Sequence, residues 1–329
     1  MADLKTTYLG LPLKNPLVAS SSPLTNTSDS VEKLEQAGVA AIVVKSIFEE
    51  QIRADVSDMY AALEGEPSGF AMEYLRADLP AQLGPEKYLD TLKEMRKRVK
   101  IPIISSVNCV EPAHWVNYAR KIEDAGADAL ELNLYHMPVS PVETSEKVEA
   151  RYVALVQAVI SAVKLPVTVK LSQHLTALMP FARVLDRAGV KGLVLFNRFL
   201  QTDVDIEKES MFYAPNYSTS AALHEQLRWV AVLRDWVRCD MAISGGIHSG
   251  AELIKALLVG ANVGYICSAL LVRPDLGAIR EVLGGLEAWM ARKGYGSLAE
   301  FRGKMRETDL QDGRGFERSQ YIKAATRIS

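Results

Sequence analysis

PVTVKLS (166–172) is one of eight short apolar runs in this chain that each end in a small or polar residue. The others are PLVASSS (16–22), AAIVVKS (40–46), PIISSVN (102–108), ALELNLYH (129–136), GLVLFN (192–197), MAISGG (241–246) and VGYICSA (263–269). Their interiors are nearly continuous Val, Ile, Leu and Ala, as expected of strands buried on both faces of a parallel sheet. The gaps between them leave room for helices. Eight strands alternating with helices predict a (β/α)8, or TIM, barrel. That fold builds its site at the C-terminal strand ends, which here carry Ser20, Lys45, Asn108, Asn133, His136, Lys170, Asn197, Gly245, Gly246 and Ser268.

The bulk numbers agree with one domain. No Pro/Gly/Ser-rich linker or charge run divides the 329 residues, and a single barrel with insertions accommodates that length. The expected division is a barrel over residues 1–293, with a charged C-terminal extension over 294–329 packed on or beside it. Two longer connections are expected. Residues 47–84 follow the second strand, and 198–218, containing Tyr213, Asn216 and Tyr217, follow the sixth. Both lie on the C-terminal side, where they serve as a lid or as dimer contacts.

A formal net charge of −2, from 38 basic and 40 acidic residues, gives no reason to expect nucleic acid or an acidic membrane as partner. Three scattered cysteines, Cys109, Cys239 and Cys267, argue against a disulfide framework and for a reducing compartment. No CxxC pair suggests zinc or an iron–sulfur cluster, and the five histidines show no metal-ligand spacing. The N-terminus has no signal-peptide pattern, so the expected location is cytoplasmic.

A weak repeat supports the barrel. QAGVAAIVVK (36–45), DAGADALELN (124–133), RAGVKGLVLFN (187–197) and VGANVGYICSA (259–269) share a helix end, a glycine turn and a strand. Gly38, Gly126 and Gly189 are predicted just past helix C-termini, at positive φ. Helices are expected at PEKYLDTLKEMRKRV (85–99), SEKVEARYVALVQAVISAVK (145–164), AELIKALLVG (251–260) and DLGAIREVLGGLEAWMARK (275–293).

Gly245-Gly246 after strand seven and Cys267-Ser268 after strand eight fit a phosphate site of backbone N–H groups and one hydroxyl. Lys45 and Lys170 end strands, where an unpaired buried lysine is costly. Their candidate roles are Schiff-base nucleophile, anion clamp, or charge compensation for a reduced cofactor. Asn108, Asn133 and Asn197 offer donors and acceptors that suit a planar heterocycle, a flavin ring or a pyrimidine.

The set NPLVASSS, VVKS, ISSVN, ELNL, VTVKLS, LFN, ISGGIHSG and ICSAL resembles the dihydroorotate dehydrogenase family of FMN-dependent barrels over about residues 1–290. The resemblance implies FMN as cofactor and a homodimer. It also implies oxidation of dihydroorotate, or of a similar dihydropyrimidine, in pyrimidine biosynthesis. Ala19, Ser20, Lys45 and Ser46 would border the flavin, and Asn108 and Asn133 would line the site. Lys170 would lie on the pyrimidine side of the ring and stabilise its anionic reduced form. Gly245, Gly246, Cys267 and Ser268 would hold the phosphate, and Lys45, Asn133 and Asn197 would contact substrate. The family carries its Cys or Ser base in an NLSCPN-type run after strand four. Here that run reads Asn133-Leu134-Tyr135-His136-Met137-Pro138, which puts His136 at the base position and Pro138 in place of an amide. GEPSGFAMEY (65–74) stands where the family has its substrate loop, and Arg198 replaces a small hydroxyl residue. A flavin-binding subunit of a redox complex, with a separate electron-transfer partner, and a non-redox lysine-based lyase or isomerase are the other readings these residues allow.

Overall fold

The computed structural model describes residues 2–49, 84–108, 112–136, 138–198, 202–213, 217–306, 321–322 and 325–326. An N-terminal hairpin, β1 (Thr6–Tyr8) and β2 (Leu11–Leu13), precedes the barrel. The barrel strands are β3 (Leu17–Ala19), β4 (Ala41–Val43), β6 (Ile103–Asn108), β7 (Ala129–Asn133), β8 (Val167–Ser172), β9 (Gly192–Asn197), β12 (Asp240–Ser244) and β13 (Val263–Ile266). Each pairs in parallel with the next, and β13 pairs with β3 to close the ring. A two-residue strand, β5 (Ile47–Phe48), adds to the C-terminal half of β6. The hairpin β10 (Thr202–Asp205) and β11 (Ser210–Tyr213) fills the insertion after the sixth barrel strand.

The eight expected strands are all present, shorter at several ends than the apolar runs. ALELNLYH stops being strand after Asn133, and PLVASSS after Ala19. The polar ends of these runs leave the ladder to become the rim of the barrel.

Nine helices are present among the described residues: α1 (Ser28–Ala37), α2 (Pro85–Arg98), α3 (Pro112–Asp124), α4 (Ser145–Ala162), α5 (Leu178–Ala188), α6 (Leu223–Leu233), α7 (Gly250–Val259), α8 (Ser268–Val272) and α9 (Gly277–Lys293). Their ends follow local chemistry. Thr27 caps α1 by accepting the Ser30 N–H, and Ser249 with Glu252 forms a capping box on α7. Gly38, Gly126 and Gly189 adopt φ of 119°, 92° and 99°, and the N–H of each turns back onto the helix just ended.

Side chains alternate across each strand. Outward residues such as Leu132, Val169, Leu193 and Ile243 pack against the helices. Inward residues at the floor form a second cluster of Val18, Val43, Ile104, Ala129, Val194, Ala242 and Val263. The hairpin closes that floor with Tyr8 and Leu13. Tyr8 meets Tyr265 edge-on at 6.2 Å, and their hydroxyls hydrogen-bond at 3.1 Å.

The chain beyond 293 does not swing free at its start. Phe301 is fully buried against Trp289 and Tyr295, with ring centroids 4.9 and 5.2 Å apart. Gly303 and Met305 donate backbone N–H groups to Leu257 and Leu258 at the end of α7. The long connection after the second strand, with GEPSGFAMEY, lies outside the described residues beyond Glu49, as do Cys109, Met137, Asn216 and nearly all of the tail after Arg306. No helix of the described residues is long and apolar enough to cross a membrane.

Candidate active site

Strand register assembles the mouth. Asn108 is level with Asn133, and Asn133 with Lys170, on three adjacent strands. Asn197 ends the next strand, beside Ser172. Level residues in a parallel sheet face the same way, so Asn108, Asn133 and Lys170 form one inward tier, with Asn197 one step above it. The Asn197 amide donates to the Asn133 Oδ1 at 2.9 Å. Asn108 and Lys170 are each only 7% exposed. Lys170 forms no ion pair among the described residues, although it is nearly enclosed.

A second, polar tier lies one step deeper, two residues earlier on each strand: Ser106, Glu131 and Thr168, joined by Tyr265. Ser106 donates to Glu131 Oε1 at 3.2 Å, and its oxygen lies 2.8 Å from that of Ser46. Ser46 in turn meets Ser21, both through its hydroxyl at 3.1 Å and through its backbone N–H at 2.9 Å. Tyr8 bridges Tyr265 and Thr168 below. Burial pushes the Glu131 carboxyl above the usual carboxylate range, with the Lys170 charge pulling the other way. It pushes the Tyr265 hydroxyl well up, helped by Tyr8 and Glu131. The apolar appearance of the strand runs hid this tier. Its signal was parity: Ser106, Glu131 and Thr168 sit at i−2 from Asn108, Asn133 and Lys170 and must share their face.

After the next strand of the ring, β12, Gly245 and Gly246 adopt φ of 98° and 79°. A Cβ on Gly246 would stand 2.8 Å from the Leu223 backbone nitrogen. Ser218, at the end of the strand-six insertion, ties this turn together. Its hydroxyl accepts the Gly246 N–H at 3.1 Å and donates to Ser268 at 2.9 Å, and its N–H also reaches the Ser268 hydroxyl. Ser218 was not singled out from sequence, because a lone serine in a loop carries no signal. Burial raises the Cys267 thiol, and Lys170, Ser22 and Arg198 oppose it. A cavity of about 830 Å³ opens here between Asn197, Arg198, Gln226 and Gly245.

The remaining predicted residues fall in three places. Ser20 is buried, and its N–H bonds the Ile266 carbonyl. The Ala19 methyl joins the outer shell, so only its backbone borders the mouth. Lys45 follows β4, with its N–H on the Thr25 carbonyl, and Ser46 belongs to the hydroxyl chain above. His136 is not brought into the Asn133–Lys170 tier. It lines a separate cavity of about 530 Å³ with Pro138, Tyr152, Ser172 and His174. There its Nε2 lies 3.0 Å from Glu143 Oε2, and Arg151 clamps the other oxygen of the same carboxylate. These two partners hold the Glu143 carboxyl below the usual range, His136 contributing most. His174 lies before α5 and lines the same cavity as His136. The buried Nε2 of His248 has no hydrogen-bond partner.

The family model for dihydroorotate dehydrogenase matches residues 3–290. This chain belongs to that family. Relatives include the catalytic subunit of dihydroorotate dehydrogenase B (NAD(+)) of Thermoplasma volcanium, 26% identical over 312 residues that cover 92% of this chain and 98% of the relative. The NAD-dependent dihydropyrimidine dehydrogenase subunit PreA of Escherichia coli (strain K12) is 25% identical, over 92% of this chain and 76% of its own length. The chloroplastic dihydropyrimidine dehydrogenase (NADP(+)) of Arabidopsis thaliana is 22% identical, over the same shares. Membership places the chain among oxidoreductases that act on CH–CH donors.

Proposed function

We propose that this chain is an FMN-dependent dehydrogenase of a dihydropyrimidine-like substrate. One observation carries the reading. Lys170, nearly buried and without an anionic partner among the described residues, sits level with two amides and two strands away from the Gly245–Gly246 turn. An enclosed cation calls for an electron-rich ligand, and the amides supply the donors and acceptors of a flavin's pyrimidine edge. The residues present fit the cofactor. Gly245, Gly246, Cys267 and Ser268 would hold its phosphate, Lys170, Asn108 and Asn133 its ring, and Ala19, Ser20, Lys45 and Ser46 its border. When bound, FMN supplies a two-electron acceptor for hydride.

Lys45, Asn133 and Asn197 would orient the substrate. As hydride leaves one substrate carbon, the proton of the adjacent carbon goes to His136. With Nε2–H donating to Glu143, the tautomer leaves Nδ1 as the acceptor for that proton. The stretch from Leu134 to Glu143 must bring the imidazole over the mouth for this step, since catalytic contacts often tighten only with substrate bound.

The position of His136 beside Glu143 and Arg151 favours a second reading: a flavin-binding subunit of a larger redox complex, with weak or no dihydropyrimidine turnover. The word "subunit" in two of the relatives' names suits it. A separate electron-transfer partner, a homodimer and a cytoplasmic location belong to the proposal.

The test is the visible spectrum of the purified protein, followed by anaerobic addition of dihydroorotate and, separately, dihydrouracil. A flavin band that bleaches with either supports the dehydrogenase and chooses between substrates. A band that neither compound bleaches favours the redox subunit. Absence of flavin after reconstitution with FMN overturns both readings in favour of a lysine-based barrel enzyme.

A further inference from the structure

Glu131 is the most enclosed charged-type residue of the barrel interior, at 0% exposure. It points inward from β7, one tier below Lys170 of the adjacent strand. An ionised carboxylate at such depth needs two or three well-formed donors. Glu131 has one well-formed donor, the Ser106 hydroxyl on Oε1 at 3.2 Å; the neutral Tyr265 hydroxyl lies beside it, and Oε2 has no hydrogen-bond partner. The other titratable groups facing it are Tyr265 from β13, Tyr8 from the hairpin and Tyr88 from α2. All three are phenols, so none neutralises a carboxylate, and burial raises each of them. Lys170 is the nearby cation, and it forms no ion pair with Glu131.

We infer that Glu131 stands behind Lys170 as an uncharged carboxylic acid, which leaves the lysine's charge unspent for the cofactor ring in front of it. An ionised Glu131 would cancel that charge. A neutral one lets Lys170 act at full strength on the anionic reduced flavin. Glu131 is thus a positioning residue that acts through Lys170 and touches neither cofactor nor substrate. The role rests on the flavin reading above, but the protonation state does not.

Two measurements on the full-length protein test it. The first is the infrared carboxylic-acid C=O band at neutral pH, recorded without cofactor on wild type and Glu131→Gln. A band present in wild type and lost in the variant is the expected result. A wild-type spectrum with no such difference means an ionised Glu131 and overturns the inference. The second is the midpoint potential of bound FMN. Wild type and Glu131→Gln should coincide at neutral pH, and wild type should fall below the variant as pH is raised and the acid ionises. A higher potential in Glu131→Gln already at neutral pH, as removal of a negative charge beside Lys170 would give, overturns the inference. If Glu131→Gln does not fold, Ser106→Ala replaces it. Loss of the Ser106 donor must then shift the acid band, and an unmoved band rules Glu131 out as its source. A protein that binds no FMN removes the role toward the cofactor, while the infrared band still decides the charge of Glu131.

Discussion

Replacing Gly246 by alanine should be much more damaging than replacing its neighbour Gly245, and the difference measures how closely the strand-seven turn approaches α6. Both glycines hold positive φ, 98° and 79°, so alanine pays left-handed backbone strain at either site, about 1–2 kcal/mol. Around Gly245 a new Cβ finds nothing nearer than the Gln226 side chain at 3.8 Å. At Gly246 it meets Leu223 backbone nitrogen at 2.8 Å, with Leu223 Cβ and Cα at 3.1 and 3.2 Å. Backbone at the first residue of a helix cannot rotate aside as a side-chain tip would. Overpacking of that kind adds about 1–3 kcal/mol. Gly245→Ala should therefore cost about 1–2 kcal/mol and Gly246→Ala about 2–5 kcal/mol. The assay is urea denaturation, followed by tryptophan fluorescence, with FMN titration of each folded variant. The Gly246 N–H donates to Ser218, so displacing the turn should also weaken FMN binding. Equal losses of stability for the two variants would refute the close approach and, with it, the cradle built on it.

Other expectations follow from single contacts. Lys170→Met should reduce the rate of flavin reduction about 10²–10³-fold, as loss of one preorganised charge does, while the protein stays folded; stopped-flow bleaching reads it. Glu143→Gln keeps the shape but loses the charge that fixes the His136 tautomer. The rate of flavin reduction should fall in Glu143→Gln and fall further in His136→Ala, read by the same stopped-flow bleaching. Since His136 and Arg151 depress the Glu143 carboxyl, its stabilising contacts are present above the ordinary glutamate value and are lost as pH falls below it. Proteolysis of the His136–Glu143 stretch should therefore increase in acid. The raised Glu131 works in the opposite direction: its contribution is complete below the ordinary value and is lost as pH rises toward the folded one, so denaturation midpoints should fall with pH less steeply in Glu131→Gln than in wild type. Phe301→Ala should cost about 3–5 kcal/mol, as for other buried phenylalanines, which thermal melting would detect. A negligible loss would detach the segment after α9 from the core.

Most of the architecture could be read from the chain because each strand run ends in a small or polar residue, and glycine marks helix ends at Gly38, Gly126, Gly189 and Gly260. The strand-end tier of Asn108, Asn133, Lys170 and Asn197 emerged for the same reason. The deeper tier did not, since Ser106, Glu131 and Thr168 are isolated polar positions on the inward face of otherwise apolar runs and only their parity with the strand ends betrays them. His136 was located by sequence position alone, which gives a loop but not the direction in which an imidazole points. Its partners Glu143 and Arg151 lie 7 and 15 residues away, across a turn and into α4, and no local pattern announces them. Ser218 joins the Gly246 turn through tertiary packing, which spacing cannot show.

The polar middle of the barrel divides the work of the molecule between two surfaces of the same strands. Residues facing out, such as Leu132 and Val169, adhere to helices, whereas Lys170, facing in at the same height, contributes little adhesion and sets a field. Changes to one set should be read in melting curves and changes to the other in affinities and potentials. A strand of this barrel can then vary its chemistry at every second position without renegotiating the packing that keeps it in place.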